Sequence, residues 1–324
     1  MKKIRVTSGF AIAFAACAVA CSSAPGGDDR SSAEATPQTT DAPGLPPTST
    51  STSTTTTTTT TTTSAPHRIQ FVAMPGAERP ARDAVGKAGG GDAHMVYRGG
   101  PVIPNVELTT VFWGSNVAYQ SDFDTFYASI VDSAYVDQLS EYDTPTQKIG
   151  RGRFVTSYVD QAAPSSTQLG DDQIQKELAR LIEAGSLPQP GANTLFMVHF
   201  PPGVTITTQD ATSCQQFCAY HSSFDHQNGA VYYGVIPDFG GACSSCDSTV
   251  IASHEVSEAI TDPNIGVANT AQDEHQLGWY DDVNDEIADV CENGSYGTFA
   301  GYRVAKVWSN QANACVSPSS GDSR

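Results

Sequence analysis

His254, Glu255 and Glu258 stand in a His-Glu-x-x-Glu pattern inside the run Ile251-Ala252-Ser253-His254-Glu255-Val256-Ser257-Glu258-Ala259-Ile260. Residues four apart on a helix lie one above the other on one face. His254 and Glu258 can therefore offer a ring nitrogen and a carboxylate oxygen to a single cation. The pattern is one substitution from His-Glu-x-x-His, in which two histidines bind zinc and the Glu between them is the general base. A carboxylate is also a legitimate zinc ligand, but a harder one. Zinc is the expected metal, held less tightly than by two histidines, with Mn2+ or Ca2+ as competitors. Glu255 turns away by about 100° along the helix, where it can hold a water beside the metal without ligating it.

A third ligand must come from elsewhere. Asp285-Glu286-Ile287-Ala288-Asp289 places Glu286 and Asp289 at i and i+3. The pair resembles thermolysin-like enzymes, in which a second helix supplies a Glu ligand and an Asp one turn later that hydrogen-bonds a ligand histidine. That resemblance implies Glu286 as third ligand and Asp289 as the support behind a histidine; Asp289 or Asp262 is the alternative ligand if Glu286 lies elsewhere. Glu255 is the expected base, and His221, or else His226 or Tyr280, the group that stabilises an oxyanion. The acidic run Asp281–Glu286 could donate oxygens to Ca2+, but it lacks the spacing and glycine of an EF-hand loop and reads more simply as a solvated turn. The plain alternative for the whole motif is a solvated surface helix.

The elements that would position these residues are those of an α/β domain. Val106–Trp113, Asn193–Phe200 and Ala230–Ile236 are short apolar or β-branched runs that read as strands, as does Tyr302–Trp308. Phe123–Leu139 and Ile174–Ile182 carry apolar residues at helical spacing. Ser248–Ile260 is the helix of the motif, capped by Asp247 or Ser248 and stopped at Asp262-Pro263. Residues 67–100, with two glycine-rich patches, form a loose arm.

Upstream, Met1–Arg5 is basic and is followed by an apolar run too short to span a bilayer as an ordinary helix. Residues 1–21 read as a lipoprotein-type signal peptide with Cys21 as the lipidated residue, the alternatives being plain secretion or an uncleaved anchor. Residues 22–66, rich in Ser, Thr and Pro with an unbroken threonine run from Thr54 to Thr63, bury almost nothing apolar and read as a disordered tether. The domain spans 67–317, and 318–324 is a disordered tail.

The net charge is -18, and the charges of 1–66 cancel, so the domain carries all of it. Such acidity argues against nucleic acid as a partner, and leaves membrane association to the N-terminal anchor. Cys214, Cys218, Cys243, Cys246, Cys291 and Cys315 are an even set in an exported chain and read as three disulfides of open connectivity. The rival is a four-cysteine zinc site from the first four.

Taken in order, Phe217-Cys218-Ala219-Tyr220-His221, Cys243-Ser244-Ser245-Cys246, Ile251–Pro263, Glu286–Glu292 and Cys315-Val316 resemble the phosphate-induced protein 1/EXORDIUM family, over about residues 97–317. Gly99-Gly100-Pro101-Val102 and the strand with Trp113 are similar to that family's N-terminal motif. The resemblance implies a zincin-like domain, with a mixed sheet and an active-site helix, whose own motif is His-Glu-x-x-Glu. The expectation is a disulfide-stapled, lipid-anchored cell-surface domain acting as a metal-dependent peptidase or related hydrolase on an extracellular peptide or cell-surface polymer. The alternative is a non-catalytic module for adhesion or carbohydrate recognition, with a structural metal or none.

Overall fold

The computed structural model describes residues 71–75, 77, 93–208, 211–227, 229–265, 277–292 and 296–318. The signal segment 1–21 with Cys21, the tether 22–66 and residues 319–324 of the tail lie outside the described residues. Among the described residues no helix is long and apolar enough to cross a membrane.

The centre is a six-stranded mixed sheet of β1 (Phe71–Ala73), β2 (Asn105–Trp113), β3 (Gly150–Asp160), β4 (Thr194–His199), β5 (Phe217–His226) and β6 (Gly229–Ile236), in the order β1-β5-β6-β4-β2-β3. Strands β6, β4, β2 and β3 run parallel, while β5 is antiparallel to both β6 and β1. Side chains alternate across a strand, and the core divides accordingly. Leu108 and Phe112 of β2, with Leu195 and Met197 of β4, face the helices α1 (Gln120–Val131) and α4 (Ser248–Thr261); Val111, Phe196 and Val198 face α3 (Asp171–Glu183). Continuous apolar runs were legible as strands because these strands are covered on both faces.

The structure differs from the sequence reading in four places. Phe71–Ala73, read as part of a loose arm over 67–100, is an edge strand of the central sheet, held by pairing with β5. The expected helix Phe123–Leu139 is broken: α1 ends at Val131, and a short α2 (Ala134–Asp137) follows. Ser133 accepts from the Tyr135 amide at 3.1 Å, and this local bond competes with a continuing helix. Tyr302–Trp308 is two strands, not one. Tyr302–Ala305 pairs with Tyr296–Phe299, and Val307–Ser309 pairs with Ala314–Val316. Strands β3 and β5 were not anticipated. In β3 the run opens Gly150-Arg151-Gly152-Arg153 on an edge, and in β5 the buried positions include His221, Ser222 and Ser223, so neither shows the apolar alternation of a half-buried strand.

The six cysteines form three disulfides: Cys214–Cys243, Cys218–Cys246 and Cys291–Cys315. The four that could have made a zinc site are paired with one another instead. Cys218–Cys246 joins β5 to the turn just ahead of α4, and Cys291–Cys315 ties the segment after Asp289 to the last strand. The staples thus hold the elements that carry the acidic and histidine side chains.

Candidate metal centre

Helix α4 is buried from Ile251 to Thr261, which is unusual for a helix carrying so many polar residues. Its hydroxyls are satisfied along the helix itself: Ser253 Oγ donates to the Thr249 carbonyl at 2.8 Å, and Ser257 Oγ to that of His254 at 2.8 Å. Asp247 caps the first turn, its side chain accepting from the Val250 amide at 3.3 Å. Gly234 of β6 lies beneath Glu255; a Cβ there would stand 3.9 Å from Glu255 Cβ and 2.6 Å from Met197 Cε. A glycine here lets the helix and Met197 approach the sheet.

Glu258 is fixed first. Its Oε1 accepts from the amides of Ala288 at 3.1 Å and Asp289 at 3.0 Å, and its Oε2 is turned to His254 Nε2 at 3.0 Å. The same ring nitrogen lies 3.6 Å from Asp289 Oδ1. These three side chains place one ligand atom each within 4.8 Å of one another. Ligand atoms about 2.0–2.2 Å from a common ion stand roughly 2.9–3.6 Å apart, so the two measured separations fit one. His254 Nε2 is buried and has no hydrogen-bond partner in spite of its closeness to Glu258. A ring nitrogen facing carboxylate oxygens needs either its own proton or a cation between them.

A second group of ligand atoms within 4.8 Å of one another joins His221, Glu255 and Glu258. His221 Nδ1 lies 3.3 Å from Glu255 Oε2 and 4.0 Å from Glu258 Oε2. Its Nε2 lies 3.3 Å from both the Asp262 carbonyl and Glu286 Oε1. Glu255 Oε1 and both oxygens of Glu286 are buried without hydrogen-bond partners.

His254, Glu258, Glu255, His221, Glu286 and Asp289 come into one buried neighbourhood. Glu286, expected beside His254 and Glu258, lies against His221 and belongs to neither ligand group. Asp289, expected behind a histidine, brings its own oxygen to His254 Nε2. His226 does not join them: it sits five residues along β5, roughly 17 Å away along the strand, and approaches Glu183 at 3.9 Å. The Tyr280 hydroxyl donates to Asp285 Oδ1 at 2.9 Å, and Asp262 Oδ1 accepts from the Gly278 amide at 2.8 Å. In the acidic run, Asp281 closes a turn by accepting from the amides of Val283 and Asn284. Among the described residues no second α-helix follows α4. Asp285 has φ 67, a left-handed backbone that a helix cannot carry through, and Asp289–Cys291 is a single 3-10 turn.

The electrostatics follow from burial. Burial opposes a charge on His254, but Glu258 and Asp289 outweigh it and lift the ring to about 10. Burial pushes the carboxyls of Glu255 and Glu286 up, Glu286 well above the usual range, and raises Asp262 to about 7. Five buried carboxylates around two histidines form a chamber short of positive charge, a condition that a bound cation relieves.

No family model matches the chain. No curated protein and no solved structure matches it either.

Proposed function

We propose that the protein is an extracytoplasmic, metal-dependent hydrolase, a peptidase or a related enzyme, built as a zincin-like domain of the EXORDIUM type. The observation that carries this is the convergence of His254 Nε2, Glu258 Oε2 and Asp289 Oδ1 beside a Glu255 whose Oε1 has no partner. His254, Glu258 and Asp289 would hold the ion, with Zn2+ as the first choice of metal and Mn2+ or Ca2+ as alternatives for so anionic a set. When bound, such an ion polarises a scissile carbonyl and acidifies water. Glu255 Oε1 is the base that accepts the water's proton and returns it to the leaving group. His221 lies 3.3 Å from Glu255 Oε2, and the Asp262 carbonyl, 3.3 Å from its Nε2, fixes the ring. The two amides on Glu258 Oε1 keep its other oxygen aimed at His254. The disulfides support an oxidising, extracellular setting, in keeping with lipid anchoring through Cys21 or with secretion. An extracellular peptide or cell-surface polymer is the substrate class this setting favours.

One observation favours a second reading. His254 is 4% exposed and Glu258 and Asp289 2% and 3%, as suits a structural metal in a non-catalytic adhesion or carbohydrate-binding module. Glu255→Gln separates the two. In the hydrolase it retains the metal and lowers turnover of a mixed peptide or polysaccharide library by about 10²–10⁴-fold. If the metal-loaded protein turns over no member of such libraries, the module stands and the hydrolase does not.

A further inference from the structure

We infer that the chamber is built for a second divalent cation, held by His221, Glu255 and Glu258, with Glu258 shared between the two ions. The inference rests on the same site as the proposed function and extends it from one metal to two.

The first support is the environment of the His221 ring. Both of its nitrogens face oxygen atoms: Nε2 the Asp262 carbonyl and Glu286 Oε1 at 3.3 Å each, Nδ1 Glu255 Oε2 at 3.3 Å and Glu258 Oε2 at 4.0 Å. Burial opposes a charge on this ring, but Glu286 and Glu255 outweigh it and hold it well above 6.5, so without a metal the positive charge they call for falls on the ring itself. As a ligand the imidazole is neutral, has one N–H, and presents a lone pair to oxygens on its other side. A histidine that ligates through one nitrogen characteristically donates its other N–H to a carboxylate or a backbone carbonyl. On the Nε2 side the Asp262 carbonyl is that acceptor. That leaves the Nδ1 lone pair pointing at Glu255 and Glu258, the two carboxylates with which it forms a ligand group.

The second support is independent of that ring. Glu255 Oε1 and both oxygens of Glu286 are buried and without hydrogen-bond partners, with Glu255 1% and Glu286 0% exposed. Among the described residues, the side chains ion-paired to Glu255, Glu258 and Glu286 are histidines alone. A single divalent ion at His254 leaves this end of the chamber undercompensated, and a second ion balances it.

Glu258 suits the bridging position because its Oε2 faces both histidines, at 3.0 Å from His254 Nε2 and 4.0 Å from His221 Nδ1; the second gap is wider than the first site's and suits the wider ligand angles of a higher-coordinate ion. Carboxylate-bridged pairs of ions sit about 3.5–4 Å apart. Glu255 ligates through Oε2 and keeps Oε1 for the proton.

The test is metal stoichiometry on the full-length protein. The protein is stripped with chelator, reloaded with Mn2+ in the presence of excess Mg2+ to clear surface carboxylates, and desalted. About two equivalents of Mn2+, with the exchange-coupled electron paramagnetic resonance signal of a pair of neighbouring ions, are expected. His221→Gln should retain about one equivalent and lose the coupled signal, with its far-ultraviolet circular dichroism unchanged. One uncoupled equivalent in the wild type overturns the second site and leaves the proposed hydrolase centre intact. No bound metal overturns both. Two equivalents that persist in a folded His221→Gln protein overturn the assignment to His221. If that variant does not fold, the wild-type stoichiometry and coupling decide the question alone.

Discussion

His254 Nε2 and Glu258 Oε2 stand 3.0 Å apart across one helical turn, and the nitrogen has no hydrogen-bond partner. The distance is that of a contact and the alignment is not that of a donated N–H. Two ligand atoms looking toward a common point account for both facts. The amides of Ala288 and Asp289, which hold Glu258 Oε1, set that orientation before any ion arrives.

Asp289 and Glu286 should separate cleanly under mutation. Asp289→Asn removes a charged oxygen from the His254 group and should weaken metal binding by more than the roughly 10–100-fold typical of outer partners. Glu286→Gln should leave the ion at His254 in place. Equilibrium competition against a fluorescent chelator measures both, and equal losses in the two variants would contradict the ligand set.

The pH dependence of stability should carry a signature of His199. This ring is buried against Phe112, Phe123 and Tyr127, and burial lowers it from 6.5 to about 3. The folded state therefore binds its proton more weakly than the unfolded chain does. The contribution to stability is whole above pH 6.5 and is lost as pH falls from there towards 3, at up to about 1.4 kcal/mol per pH unit. His199→Gln, which can still accept from the Tyr127 hydroxyl, should flatten the fall in urea midpoint between pH 6.5 and 4. An unchanged slope would remove His199 from the account.

Reduction should destabilise the domain through the loops it opens. Cys218 and Cys246 are 28 residues apart in sequence, and closing a loop of that length is worth about 3.6 kcal/mol in the chain-entropy account. Replacing both with serine should lower the denaturant midpoint accordingly. The loss of metal affinity should accompany it, because this bridge fixes the strand of His221 to the start of α4.

Gly278 should tolerate no side chain. A Cβ there would lie 2.2 Å from the Thr261 carbonyl oxygen and 2.9 Å from that of Pro101, both backbone atoms that cannot swing aside. Its amide also donates to Asp262. Gly278→Ala is expected to cost about 3 kcal/mol, at the upper end of overpacking penalties, measured as a shift in thermal midpoint.

Much of the architecture was legible from local pattern. The strands Asn105–Trp113, Thr194–His199 and Gly229–Ile236 are apolar because both faces are covered, and that covering is written into composition. Helix α4 was legible from its cap, its stop at Asp262-Pro263 and its apolar spacing. The strand of His221 was not, since after Phe217–Tyr220 its buried positions are His221, Ser222 and Ser223, which break the apolar pattern. The break at Ser133 was also hidden, because a serine oxygen competing for one amide leaves the apolar spacing unchanged.

By itself the sequence determined that His254 and Glu258 share a helical face, because the 3.6-residue period makes i and i+4 neighbours in any helix. It also determined an even set of six cysteines in the domain. Which oxygen completes the group was decided only by the tertiary structure. Glu286 and Asp289 are three residues apart, and in a second helix both would have faced the same way. The left-handed backbone at Asp285 and the short 3-10 turn send them to different histidines. That choice depends on how a loop packs against α4, through two amides on Glu258, and no local period encodes it.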